Sequence, residues 1–253
     1  PSNSYIYLYG DMDMEEKLKF LDREYLCHYN MEQVDSRIQE QKPFSQIKKV
    51  SKQYSITEAE STKDNTYLSY NIAIGDSLDT ERNLAFEILA YVLISSPGAP
   101  LKQAILDAGI GRDVYGRFET DIKYSLFNIV AKNSNKEREE EFEQVIINTV
   151  KHLVKEGLDK DALEAAVNYL EFQYREADFG RYPKGLMLAL SVYESWIYTD
   201  SNPFRNLEMN GCFEKIRSML GTDYFEQMLQ KYILDNRHAA LVSVEPVKGL
   251  TAK

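Results

Sequence analysis

Tyr67-Leu68-Ser69-Tyr70-Asn71-Ile72-Ala73-Ile74 is the stretch that decides how this chain folds. Leu68, Tyr70, Ile72 and Ile74 fall on one side of an extended backbone, and Tyr67, Ser69, Asn71 and Ala73 fall on the other. That period of two is the pattern of a strand with one face turned to a core. Gly75-Asp76 ends the strand, and a helix follows from about Asp79 to Leu93 with Leu84, Ile88, Tyr91 and Val92 on one stripe. A one-faced strand and a striped helix hide their apolar sides by packing together, which points to a sheet covered by helices.

Working outward, the prolines of Ser95-Ser96-Pro97-Gly98-Ala99-Pro100 break that helix, and a short one over Leu101 to Ala108 stops at Gly109. Val114 to Glu119 and Ser125 to Ala131 read as a hairpin around Thr120-Asp121-Ile122-Lys123. A long helix over Lys136 to Lys155 turns Phe142, Val145, Ile146, Val150 and Leu153 inward, and Asp159 caps another to Glu176. Helices over Leu186 to Tyr198, Cys212 to Leu220 and Thr222 to Leu234 lead to a last strand, Ala239 to Val244. Upstream, Ser51 to Ile56 reads as a strand, Asn30 to Pro43 as a polar linker with a turn or two of helix, and Met14 to Tyr29 as a helix capped by Asp13. Tyr5, Tyr7 and Tyr9 alternate with Ile6 and Leu8, which predicts a further strand. The sum is α+β: a mixed or antiparallel sheet with helices packed on one face.

The chain has 253 residues, 43% of them hydrophobic, with 18 Tyr, 11 Phe and one Trp, enough for a packed core. Its net charge of -10 is spread along the sequence, so a phosphate backbone would be repelled and nucleic acid is excluded as the main partner. No uninterrupted apolar run approaches the roughly 20 residues of a bilayer span, and no basic-then-apolar leader is visible. A membrane partner is not expected, and a bacterial cytoplasmic location is. Cys27 and Cys212 stand far apart and are expected to be buried free thiols. Pro1 in place of a methionine, and an opening strand without neighbours, suggest a piece of a longer chain. Cut from its sheet, Tyr5 to Tyr9 is expected to be poorly ordered or paired with the edge of another molecule.

No familiar reaction centre assembles from the residues. His28, His152 and His238 each lack the companions a tetrahedral zinc site needs; His152 sits on a helix with neither H-E-x-x-H nor H-x-x-E-H around it. Ser96 is followed by Pro97, which has no N–H to help form an oxyanion hole. Gly109-Ile110-Gly111 and Gly221-Thr222-Asp223 are incomplete as phosphate loops. The carboxylates of Glu137 to Glu143 suit the positive end of a helix and a solvated face. Two loops stand out: Ser95 to Pro100, with Ser96, Pro97 and Gly98, and Asp178 to Gly185, with Arg181 and Tyr182. Each reads either as a well-made turn that positions helices or as a surface facing substrate or another domain.

Those loops also carry a resemblance. Ser96 to Gly111 with Asp113-Val114, Phe179-Gly180-Arg181-Tyr182-Pro183-Lys184-Gly185-Leu186, Ser195-Trp196-Ile197-Tyr198 and Asn202-Pro203-Phe204 resemble the presequence-protease branch of the insulinase/pitrilysin zinc metallopeptidases. Pro1-Ser2-Asn3-Ser4 and Tyr9-Gly10-Asp11-Met12-Asp13 resemble the strand and turn that close the first, catalytic domain of that family. The resemblance implies a parent of four homologous α+β domains closing as a clamshell around a chamber. It divides this chain into residues 1–30, the end of the catalytic domain; 31–43, a linker; and 44–253, a non-catalytic domain forming a chamber wall. It implies zinc in the parent, held upstream by an inverted H-x-x-E-H motif. No residue here matches that motif, so the catalytic and metal residues expected of this chain are none. Unstructured peptides would be the substrates, and the catalytic domain and C-terminal half of the parent the other partners. An acidic wall suits basic, targeting-type peptides.

Two further readings stand beside this one. The chain is a stand-alone module or a non-catalytic subunit of the same superfamily, or it is an enzyme working through an unrecognised site at Arg181, Tyr182 and His152.

Overall fold

A computed structural model describes residues 2–39 and 41–250. The chain divides into two compact units, Pro1–Gln41 with Glu176–Glu208 and Lys42–Arg175 with Met209–Lys253.

The second unit contains the sheet. Its strands are β1 (Lys48–Ile56), β2 (Thr66–Asp76), β3 (Asp113–Glu119), β4 (Tyr124–Ser134) and β5 (Ala239–Lys248), in spatial order β1-β5-β2-β4-β3. β5 runs parallel to β1 and antiparallel to β2, and the other pairings are antiparallel, so the sheet is mixed. The last strand is thus inserted between the first two, with Tyr70 opposite Leu241 on one side and Val50 opposite Val242 on the other. Leu68, Tyr70, Ile72 and Ile74 of β2, Phe127, Ile129 and Ala131 of β4, and Leu241 of β5 are buried on one face, as the alternation in the sequence requires.

Helices α2 (Thr80–Ala90), α3 (Pro100–Asp107), α4 (Glu139–Glu156), α5 (Lys160–Glu176), α7 (Asn210–Met219) and α8 (Tyr224–Leu229) belong with this sheet. Leu84, Phe86, Ile88 and Leu89 of α2, Ile105 of α3, and Phe142, Ile146 and Val150 of α4 form one core with the strands. Phe86 is at its centre, with ring centroids 5.5 Å from Phe118, 5.6 Å from Tyr232 and 6.2 Å from Phe127. Asn83 satisfies its buried amide by donating to the Ser77 carbonyl and accepting from Ser125 Oγ, tying α2 to β4. The run Thr80–Asp107 is long and apolar enough to cross a bilayer by length and composition, and 61% of its most apolar 18-residue stretch is buried inside the protein.

The first unit holds α1 (Met14–Glu24), a 3-10 turn over Leu26–His28, and α6 (Lys184–Trp196). Asp13 caps α1 by accepting from the Glu16 N–H at 2.9 Å. The helix stops at Glu24 and not at Tyr29, because Tyr25 leaves the helical region with φ −136°.

Several expectations are corrected. Tyr5 to Tyr9 forms no strand among the described residues, and it is packed within its own chain. Tyr5 meets Trp196 edge-on at 4.9 Å and Tyr7 meets Tyr193 at 6.4 Å, so the aromatic side of α6 takes the rings that a sheet would otherwise hold. The described residues of the linker contain no helix. Cys27 is exposed and Cys212 half-buried, since α1 buries no side chain and offers Cys27 nowhere to go. Glu139 is buried and paired with Lys136, whose ammonium also donates to the buried Ser243 hydroxyl, so the acidic run is not wholly a solvated face.

Candidate functional site

The Ser95 to Pro100 loop is a tight turn in the second unit. α2 ends by widening into a π turn over Tyr91–Ser95, closed by the Ser96 N–H donating to the Tyr91 carbonyl at 2.8 Å. Ser96 Oγ donates back to the Val92 carbonyl at 3.1 Å, which fixes the hydroxyl against the helix end. Ala99 N–H then donates to the Ser96 carbonyl across Pro97 and Gly98. With Gly98 at φ 72° this is the geometry that wants proline second and glycine third in a turn. Nothing lies within 4 Å of where a Gly98 side chain would begin, so the turn tip faces open space. Pro100 starts α3, where a missing N–H costs nothing.

The Asp178 to Gly185 loop belongs to the first unit and leads into α6. Asp178 accepts from the Gly180 N–H at 2.9 Å, and Tyr182 N–H donates to the Phe179 carbonyl. Arg181 and Tyr182 are both exposed, Tyr182 to 67%. Ser96, Pro97 and Gly98 therefore share one turn, and Arg181 and Tyr182 share another in a different unit.

The arrangement that sequence reasoning missed is an aromatic slot in the first unit. Tyr7, Tyr9, Pro183, Lys184, Gly185, Leu186 and Ala189 line an open cavity of about 460 Å³. Gly185 permits it: a Cβ there would come within 2.1 Å of Tyr9 Cδ1, so the tyrosine ring packs directly against bare helix backbone. Tyr193 donates its hydroxyl to the Tyr5 carbonyl at 3.3 Å and stacks on Trp196 at 6.1 Å. Burial, with Tyr9 and Tyr193 alongside, raises the Tyr7 hydroxyl pKa above its ordinary value, so at neutral pH the slot is uncharged there. The glycine four residues after Arg181, read together with the Tyr5-Tyr7-Tyr9 alternation, was the available signal.

The histidines do not converge. His28 and His152 are exposed, and His238 Nδ1 already accepts from the Phe44 N–H at 3.0 Å. Among the described residues no group of three His, Cys, Asp or Glu side chains is placed to hold a metal ion. Zinc, which the resemblance places in the parent, does not fit the residues described here.

The second unit is a mixed five-stranded sheet covered by helices. The model of the peptidase M16 inactive domain matches residues 1–170, and the chain belongs to that family. Protein HypA of Clostridium perfringens is 46% identical over 253 residues, covering 100% of this chain and 26% of that protein. Presequence protease 1 of Arabidopsis thaliana is 30% identical over 254 residues, covering 97% of this chain and 23% of the relative. The chain thus spans about a quarter of the length of the curated relatives it matches. The peptidase M16 inactive domain of Pseudomonas fluorescens superposes with a TM-score of 0.63 at 13% identity, over 94% of this chain and 52% of that one. The ferredoxin protease FusC, in complex with Arabidopsis ferredoxin, superposes with a TM-score of 0.65 at 13% identity, over 95% of this chain and 24% of that one. These likenesses are to the fold.

Proposed function

We propose that this chain is a wall of the substrate chamber in a zinc endopeptidase that degrades unstructured peptides. The observation that carries the reading is the match to the M16 inactive domain in a chain whose described residues assemble no metal site. The presequence proteases among its relatives support peptides as the substrate class. In this reading residues 1–30 complete the catalytic domain, 31–43 link, and 44–253 form the wall. Ser96, Pro97 and Gly98 present a rigid turn to the chamber, and Arg181 with Tyr182 brace neighbouring domains of the parent. The net charge of -10 favours basic peptides by long-range attraction.

The test compares zinc content and cleavage of a fluorogenic unstructured peptide between this chain and the chain extended in both directions to the length of its relatives. Zinc and cleavage only in the extended protein support the reading. Stoichiometric zinc or cleavage in the short chain would refute it. Shortening the Ser95 to Pro100 turn in the extended protein is then expected to change KM more than kcat.

A further inference from the structure

His238 stands where β5 begins, and its main chain is fixed on every side. Its N–H donates to Asn236 Oδ1 at 2.8 Å and its carbonyl accepts from the Ala73 N–H at 3.0 Å. Asn236 in turn donates to the carbonyls of Ala73 and Tyr232. The imidazole reaches out from this rigid base to the segment that precedes β1, 194 residues away in sequence. There Nδ1 accepts from the Phe44 N–H at 3.0 Å, and the Phe44 ring lies 4.7 Å from the imidazole, 30° from parallel. Because a backbone N–H only donates, Nδ1 carries no proton and the ring proton is on Nε2. Phe44 is just inside the second unit, which begins at Lys42, and the next residue anchored to the core is Ile47.

We propose that His238 is a proton-operated latch: neutral, it pins Phe44 and the start of the second unit to the sheet; protonated, it releases residues 42–46. Protonation turns Nδ1 from acceptor into donor, so the same two nitrogens that attract in the neutral state face each other as N–H groups. The half-buried Phe44 N–H then lacks a partner, which a folded segment does not tolerate without moving. Charged groups of both signs flank the latch. Lys48 Nζ lies 5.5 Å from the centre of the Phe44 ring, and Arg237 and Lys42 are exposed neighbours, all cationic. The adjacent carboxylate, Asp235, accepts from Gln230.

Burial alone lowers the pKa of His238 beneath its ordinary value. A folded-state value below the unfolded one means the latch contributes fully above about pH 6.5 and is lost as pH falls through the folded value. The device is therefore closed at neutrality and opens as pH falls below the ordinary imidazole value. Opening leaves Ile47 in place and frees five residues, which stretch by about 3.3 Å each.

The experiment follows the Phe44 amide and the His238 ring by NMR in the 253-residue chain, from about pH 7.5 to about pH 5. Hydrogen-exchange protection of Phe44, corrected for the intrinsic rate, is expected to fall roughly tenfold as the ring titrates. His238→Asn places an amide oxygen close to the Nδ1 position and should hold Phe44 protection level across the range. His238→Ala should leave it low throughout, with far-UV circular dichroism confirming that the sheet is intact. Protection that ignores pH in the parent chain, or falls equally in the Asn variant, would overturn the latch.

Discussion

The two units of this chain treat their apolar side chains in opposite ways. In the second, Leu84, Phe86, Leu89, Phe127 and Ile129 are sealed from water between sheet and helices. In the first, only Ala189, Val192 and Ser195 of α6 are buried among the described residues, while Leu18, Phe20, Met31 and Leu186 stand open. The sequence is not less hydrophobic there; the apolar groups simply lack something to cover them. Burial contributes about 25 cal/mol per Å², so the second unit, with nearly all of the fully buried side chains, supplies most of the hydrophobic stabilisation. The first leaves many apolar side chains exposed, and the proposed wall reading would have a neighbouring domain of the parent cover them.

The largest expected effect tests the sealed side. Phe86→Ala removes a fully buried ring that touches three others, and is expected to destabilise the second unit by about 3–5 kcal/mol, read by urea unfolding followed by circular dichroism. A loss under about 1 kcal/mol would mean the core is not closed as described.

The open side breaks differently. Gly185→Ala drives a methyl group into Tyr9 and is expected to cost about 1–3 kcal/mol locally, without lowering the midpoint of the main unfolding transition. Trp196 is the chain's one tryptophan and meets Tyr5 edge-on, so its fluorescence reports release of residues 5–9. An unchanged spectrum would show that Tyr9 does not depend on bare backbone at Gly185.

The same contrast governs what the sequence could reveal. Strands β2 and β4 and helix α4 were legible because each buries a single face, and a buried face prints its period on the chain. The insertion of β5 between β1 and β2 was not, because pairing partners far apart in sequence leave no local mark. Tyr5 to Tyr9 misled for a physical reason: alternation records that one side needs covering, and α6 covers it as well as a strand would. The two loops were found by their glycines and prolines, which encode backbone geometry, whereas the slot at Gly185 depends on a contact with Tyr9. His238 looked inert as a metal ligand, and its partner is a main-chain N–H that no side-chain motif can announce.

Acid supplies a smaller test on the sealed side. Burial alone would raise the Asp76 carboxyl pKa, but the Lys123 ammonium at 2.7 Å, the Leu78 N–H and Arg82 outweigh it and hold the value below the usual carboxylate range. Depressed in the folded state, this group contributes stability above about pH 4 that disappears as pH falls through its folded value. The carboxylate is partly solvated, so the contribution is about 0.5–1 kcal/mol. Asp76→Asn should remove that much at neutral pH and flatten the acid limb of the stability curve. An unaltered limb would assign the acid sensitivity elsewhere.

The smallest effect is the most informative, because its size depends on what surrounds the first unit. Leu18 lies on α1, which buries nothing, with 60% of its surface exposed. In this chain Leu18→Ala removes little burial and slightly improves helix propensity, so stability should move by less than about 0.5 kcal/mol. In a chain extended to the length of its relatives, the proposed covering of this face would bury the same side chain, and the substitution should cost about 2–5 kcal/mol. Equal small effects in both would mean that α1 stays exposed and that the first unit is not half of an interface. A large effect in the short chain would mean that α1 is already covered there, and the contrast between the units would fail.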